Sequence, residues 1–274
     1  ESEAKLQKMM NETAELHQRV NDSIAYAAMI QSVLISLPKV LEGYFSDSFA
    51  VWQPKDTVGG DIYMFEEISK DECLLFVVDC TGHGVPGAFV TVLVKAIERN
   101  IVAKLSHDKE QIHPSHLLSV FNRSIKNILK QDSKNSLSNV GFDGTILYYN
   151  KSSKILRFAS AQNPVMYIKG DNITEYKGDR HSVGYRTSDE NYVFTEHELK
   201  VEYGDRFFIS TDGLYDQNGG EKDLPMGRKR IAKIFIDNKD EPLNEIKEMI
   251  LYELGGYQGA NKRDDDIAFV SFTI

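Results

Sequence analysis

The chain has 274 residues, 41% of them hydrophobic and 10% aromatic, enough apolar material for one large or two small folded domains and too much for wholesale disorder. Its 32 basic residues against 41 acidic leave a net charge of -9, the wrong sign for a nucleic-acid binder, which needs surplus Lys and Arg against phosphate. The two cysteines, Cys73 and Cys80, lie among apolar residues without CxxC or zinc spacing and are expected as buried, reduced thiols.

Residues 1–37 are predicted to form one long helix. Heptad a/d positions fall on Leu6, Met9, Thr13, Leu16, Val20, Ser23, Ala27, Ile30, Leu34 and Leu37, of which only Thr13 and Ser23 are polar, and no Gly or Pro intervenes before Pro38. An apolar repeat of 3.5 sustained this far indicates a coiled coil or a helix laid along a partner. An amphipathic helix packed on its own domain stays open as the alternative, because Ala27, Ala28, Met29 and Ile30 broaden the apolar face. The opening Glu1-Ser2-Glu3-Ala4 is helical in character, as in a piece of something longer. No apolar run is expected to reach the ~18 residues that span a bilayer, and no signal peptide opens the chain.

After Pro38 the texture changes to short apolar runs broken by turns, and 38–274 reads as one domain. Strands are predicted at 49–52, 61–65 and 73–78. Helices follow at 86–105, opened by Pro86, and at 114–131, with Leu117, Leu118, Phe121, Ile125, Ile128 and Leu129 on one face. A Ser- and Asn-rich loop covers 132–139. Strands return at 144–150, 155–159, 165–169, 192–199 and 206–210, separated by Asn163-Pro164, Gly170-Asp171 and Gly204-Asp205. Two late helices, 229–236 and 243–254, precede a closing strand at 267–274, and Gly255-Gly256 is expected to stop the second. This order predicts an α+β fold with stacked sheets and helices on the outer faces.

The chemistry lies in where aspartates fall. Four blocks place an Asp at the end or start of an apolar run, beside small residues: Val58-Gly59-Gly60-Asp61, Val77-Val78-Asp79-Cys80-Thr81-Gly82-His83-Gly84, Ile209-Ser210-Thr211-Asp212-Gly213 and Asp264-Asp265-Asp266-Ile267. A carboxylate at the tip of a buried strand costs desolvation energy unless something cationic meets it. Hard oxygen ligands without His or Cys suit Mg²⁺ or Mn²⁺, and several converging from separate strand ends suit a two-metal hydrolytic site. Any one of these aspartates alone would read as a turn cap.

Together the blocks resemble the PP2C-like (PPM) phosphatases, in particular their SpoIIE/RsbU-type branch, and within it the phosphatase domain of SiaA-type receptor phosphatases. The resemblance is carried by Ile30-Gln31, Leu37-Pro38, Val58 to Asp61, Asp79 to Ala88, Thr211 to Gly213 and Asp265-Asp266, in that order, over residues ~25–274. It implies a β-sandwich of two stacked antiparallel sheets flanked by helices, and a metal-dependent protein serine/threonine phosphatase holding two divalent cations, Mn²⁺ or Mg²⁺. Carried over by position, Asp79 bridges the metals with help from the Cys80 carbonyl, Asp212 and Asp265 complete one shell, and Asp61 serves the other, directly or through water. With three consecutive acids at 264–266, the ligand is Asp265 if Asp266-Ile267 aligns with the family's final acid and aliphatic residue. The resemblance further implies a phosphorylated STAS-domain protein as substrate, a homodimer joined through the N-terminal helix, and a cytoplasmic location, as in the cytoplasmic part of a membrane-bound receptor.

His83 stands four residues after Asp79, whereas the animal-type enzymes carry a histidine two after their bridging Asp, where this chain has Thr81. His83 is therefore read as a loop residue near the site, with substrate contact open to it, and not as the general acid. Arg157, Arg206 and Arg228 are candidate phosphate clamps. An Asp-x-x-Gly-His switch of a GTPase is excluded by the lack of a GxxxxGK[ST] loop, and His107-Asp108 lacks the further ligands of an HD-type phosphohydrolase. The competing reading is a catalytically weak dimeric signalling module that retains the phosphatase fold.

Overall fold

The computed structural model describes residues 2–35, 38–105, 111–132 and 136–274. Leu37, with the last heptad position and half of the Leu-Pro block, and the His107-Asp108 pair lie outside the described residues. In chain order the elements are α1 (Ser2–Leu34), a 3-10 turn (Pro38–Gly43), β1 (Asp47–Gln53), β2 (Asp61–Glu67), β3 (Glu72–Cys80), α2 (Gly84–Leu105), α3 (Pro114–Leu129), β4 (Phe142–Asn150) and β5 (Ile155–Ala161). They continue with β6 (Val165–Lys169), β7 (Asn172–Tyr176), β8 (Glu196–Lys200), β9 (Arg206–Ser210), α4 (Gly213–Asp216), β10 (Asn218–Gly219), β11 (Leu224–Pro225), α5 (Arg228–Asp237), α6 (Leu243–Gln258) and β12 (Ile267–Thr273).

Two five-stranded antiparallel sheets stack face to face, one in the order β2-β3-β4-β5-β8 and the other β1-β12-β9-β6-β7. The side-chain period of two explains why residues 73–78 of β3 are apolar without a break. Cys73, Leu75 and Val77 enter the core between the sheets, while Leu74, Phe76 and Val78 enter a second core beneath α2 and α3. On the other sheet β12 does the same: Val270 and Phe272 face the inter-sheet core, and Ile267 and Phe269 face a third core under α4, α5 and α6. The α+β sandwich expected from the sequence is therefore the observed one, with helices on both outer faces. Cys73 and Cys80 are free and buried, as expected.

Three local expectations are corrected. The predicted strand at 192–199 begins only at Glu196, because Tyr192 and Phe194 pack their rings with His181 and with each other instead of extending the ladder. Helix α6 runs through Gly255-Gly256 to Gln258: a Cβ on either glycine would meet nothing, Leu254 is buried, and Gly259, at φ 57°, takes the left-handed position that ends the helix. The short edge strand β7 escaped prediction because only Ile173 in Asn-Ile-Thr-Glu-Tyr is aliphatic.

Helix α1 stands largely clear of the sandwich. Leu6, Met9, Leu16, Val20 and Ile30 are exposed, so most of the heptad stripe is not spent on the helix's own domain, and Gln31 is its only buried residue. One 18-residue window within Ser2–Gly43 is, by length and composition alone, apolar enough to cross a membrane, where no such run was expected. Its apolar part adjoins the sandwich, where Leu34 and Ile35 pack against the core.

Candidate metal centre

The strand parity that builds the inter-sheet core also aims the aspartates. Asp61 precedes Tyr63 and Phe65 at the same parity on β2, and Asp79 follows Cys73, Leu75 and Val77 on β3. Both therefore point between the sheets, at the end where those strands meet the loops. The ladder register places Asp61 directly opposite Asp79, and Asp79 directly opposite Asp143 on β4, at the parity of Leu147 and Tyr149. Three carboxylates thus stand in a row across three adjacent strands. Like charges directly opposite each other destabilise a sheet.

Asp212 and Asp265 come to the same end from the second sheet. Asp212 follows β9 at the start of α4, and Asp265 immediately precedes β12. Burial, reinforced by the other acids, holds Asp61 and Asp79 well above the ordinary carboxylate range. Asp212 is raised by burial and then by Asp216, with a hydrogen bond to Asp79 pulling the other way. Asp143 is raised mainly by burial, although Ser182 hydrogen-bonds its carboxylate, and its Oδ1 has no partner. Among the described residues no Lys or Arg forms an ion pair with any of these five acids. Nor do three acidic, His or Cys side chains already close into a ligand cage. The fit to hard divalent cations rests on the donor chemistry, on the uncompensated charge and on the orphaned Asp143 oxygen.

The run of acids at 264–266 divides its labour. Asp264 accepts hydrogen bonds from the Asn218 N–H (2.7 Å), Asn218 Nδ2 and Gln217 Nε2, and so fastens the β10 turn. Asp266 is buried, and its oxygens accept from the backbone N–H groups of Lys55 (2.7 Å) and Gly60 (2.6 Å). Asp265 is left exposed and facing the other acids, which feel its charge at Asp61, Asp79 and Asp212.

The glycines are demanded by close approach. A Cβ at Gly60 would lie 2.2 Å from the Gly82 carbonyl oxygen and 2.8 Å from that of Cys80, and one at Gly87 would lie 2.1 Å from Gly82 O. The turn before Asp61, the turn after Cys80 and the first turn of α2 therefore touch backbone to backbone, which only glycine permits. Thr211 donates to Asp61 Oδ2 at 2.6 Å and Trp52 Nε1 donates to the Asp61 carbonyl at 2.9 Å, orienting that residue from two sides.

Other candidates are positioned differently. His83 is half exposed at the rim, with Nδ1 2.9 Å from Asp56 Oδ2. The Thr81 hydroxyl is shared between Gly141 and the Tyr185 hydroxyl (2.8 Å). None of the three candidate phosphate clamps is free: Arg157 pairs with Glu198 at 2.6 Å, Arg228 with Glu175 at 2.8 Å, and Arg206 donates to the Glu241 carbonyl at the far end of β9. Arg180, which lines an open cleft with Ser182 and Tyr185, was not singled out by sequence. Asp143 was missed as well. It obeys the rule that selected the other blocks, an Asp opening an apolar run beside glycines, in Gly141-Phe142-Asp143-Gly144, but the predicted strand began one residue too late to include it.

Residues 69–274 match the model of the family described as Stage II sporulation protein E (SpoIIE). The chain belongs to the SpoIIE family. The SiaA-PP2C domain of Pseudomonas aeruginosa is 31% identical, with a TM-score of 0.81 over 94% of this chain and 98% of that one. The phosphoserine phosphatase RsbP of Bacillus subtilis (strain 168) is 21% identical over 250 residues, 89% of this chain and 56% of that protein, so this chain spans about half the length of that relative. RsbX, whose structure was solved in complex with magnesium, shares the fold at 16% identity and a TM-score of 0.55, over 82% of this chain and 94% of that one. With both sheets, the flanking helices and the long N-terminal helix in place, this SpoIIE-family chain is a phosphatase domain of the PP2C type.

Proposed function

We propose that this SpoIIE-family domain hydrolyses a phosphomonoester on a serine or threonine of a signalling protein, with two divalent cations, Mn²⁺ or Mg²⁺, held by its aspartates. The row Asp61–Asp79–Asp143, paired strand to strand without a cation among the described residues, carries the reading. A sheet gains nothing from such a row unless positive charge is brought to it.

Asp79, central in the row, would bridge the two ions, with the Cys80 carbonyl beside it. Asp212 and Asp265 would complete one shell, and Asp61, oriented by Thr211 and Trp52, would serve the other, directly or through water. Bound there, the cations would supply an ionised water at neutral pH and offset charge on the phosphoryl oxygens. The chain's own contribution is rigidity: Asp266 pins the turn that carries Asp61, and the touching glycines fix its distance from Asp79. His83, held by Asp56, would contact substrate or tune the rim without acting as the essential acid.

The resemblance in sequence supports a phosphorylated STAS-domain protein as substrate and a cytoplasmic setting. The exposed heptad stripe of α1 supports a homodimer, with 1–37 as the dimerising helix and 38–274 as the catalytic domain. The deciding experiment is phosphate release from phosphoserine and phosphothreonine proteins with Mn²⁺, with Mg²⁺ and with EDTA. Activity should need the metal, and Asp79→Ala or Asp212→Ala should lose at least a hundredfold, about 2.7 kcal/mol of barrier, with the circular dichroism unchanged. Full activity in EDTA would falsify the reading, and a metal-bound wild type without turnover would favour the signalling module.

A further inference from the structure

Of the 33 residues of α1, one is buried, and it is polar. Gln31, 2% exposed, lies against the turn that delivers Asp61 to the candidate metal centre. Its Nε2 donates to the Gly59 carbonyl at 2.6 Å, and its Oε1 accepts from the Gly59 N–H at 3.1 Å. The side-chain amide thus pairs with both backbone groups of one residue, as a neighbouring strand would. Nε2 also lies 3.0 Å from the Thr91 hydroxyl of fully buried Thr91 on α2, and that hydroxyl donates to the Ala88 carbonyl at 2.7 Å.

Gly59 is followed by Gly60, whose N–H is held by Asp266 and whose carbonyl accepts from the Cys80 N–H at 3.1 Å, and then by Asp61. The turn therefore has two clamps, one from the end of the chain and one from α1. A Cβ at Gly59 would fall 2.7 Å from Asp266 Oδ1, so the Asp266 carboxylate lies directly against the residue that Gln31 holds. Withdrawing Gln31 would leave the buried Gly59 N–H and carbonyl without their partners, a cost that the turn would have to move to relieve.

We propose that Gln31 is a positioning residue, through which α1 sets the Gly59-Gly60 turn against α2 and so places Asp61 for metal binding. The inference rests on the metal-centre reading above. It gives the Ile30-Gln31 pair a physical role that dimerisation alone does not, because Gln31 is buried against the domain while the stripe from Leu6 to Val20 is exposed. A helix otherwise clear of the sandwich then reaches the site through one amide. Any shift of α1 along its axis or about it would act on Asp61 before it acted on the cores.

The test compares wild type with Gln31→Leu, which keeps the bulk and removes all three hydrogen bonds, and with Gln18→Leu, an exposed control on the same helix bonded only to Asp22. Mn²⁺ affinity is measured by calorimetry, and hydrogen exchange is followed in metal-free protein. Gln31→Leu should weaken Mn²⁺ binding at least tenfold and speed exchange selectively in 55–62, leaving β9 and α3 protected, while Gln18→Leu changes neither. Unchanged affinity, or exchange that quickens evenly over the whole domain, overturns the proposal. Should Gln31→Leu fail to fold, Thr91→Val removes one bond of the three and should show a smaller loss of the same pattern; no loss overturns the idea equally. If wild type binds no Mn²⁺ the metal reading fails, whereas selective exchange at 55–62 would still establish the clasp.

Discussion

Asp143 lies directly opposite Asp79 in the β3–β4 ladder, and one of its carboxylate oxygens has no hydrogen-bond partner. Repulsion between them is a cost that the metal-free protein must bear. Asp143→Asn should relieve it, raising the melting temperature in EDTA by roughly 1–4 °C if the pair costs ~1 kcal/mol. The same change should shrink the stabilisation conferred by Mn²⁺ and lower turnover at least tenfold. A variant that melts no higher in EDTA and keeps full activity would show Asp143 to be an idle neighbour.

His83 is tied to Asp56 at the rim and is half exposed. His83→Ala should therefore lose about tenfold at most on a phosphoprotein, below the ~10²–10⁴ of general acid-base catalysis. A thousandfold loss on a phosphoprotein, together with little loss on an aryl phosphate whose leaving group needs no proton, would reassign His83 as the acid.

The stripe on α1 makes a separate prediction. Leu16 and Val20 are exposed at seam positions, so Leu16→Glu with Val20→Lys should turn a dimer into a monomer by sedimentation. The monomer should be less active at limiting metal and recover as metal is raised. A wild type that sediments as a monomer, or a variant monomer with an unaltered metal titration, would disconnect α1 from activity.

Glu98 offers a pH test away from the metal centre. It is fully buried on α2, with Lys95 2.9 Å from Oε2 but out of hydrogen-bond alignment, and with Oε1 lacking any partner. Burial, opposed by Lys95, raises its pKa to about 7. Because the folded value lies above the unfolded one, this contribution to stability is complete below about pH 4.5 and is lost as pH rises through 7. Glu98→Gln mimics the neutral acid and should melt a few degrees higher than wild type at pH 8, with the difference closing by pH 5. Parallel melting curves across that range would refute the shift.

Much of this was legible in the chain. Short apolar runs broken by turns located the sandwich strands, and Pro86 and Pro114 marked the helices. Aspartates at strand ends located four of the five acids, because burying a carboxylate beside glycines needs a reason. What was not legible depends on register. Asp61 facing Asp79 facing Asp143 is a statement about three strands at once, and no spacing within one strand encodes it. The division of labour among Asp264, Asp265 and Asp266 is likewise set by which backbone N–H groups are within reach, at Asn218, Gly60 and Lys55, far away in sequence. The partners of the candidate arginines were not legible for the converse reason: long side chains find partners that the sequence does not announce.

Strand β12 runs between β1 and β9, second from the edge of its sheet, and the residues just before it supply both Asp265 and the carboxylate that pins the Asp61 turn. A ribosome making this chain produces Asp61, Asp79, Asp143 and Asp212 well before it produces Asp265. Until then β1 lacks its neighbour and is cut off from β9, β6 and β7, and the Gly60 amide lacks its carboxylate partner. A chain not yet extended through β12 would thus carry four of the five acids without the strand that joins β1 to β9 and without the carboxylate that holds the Gly60 amide.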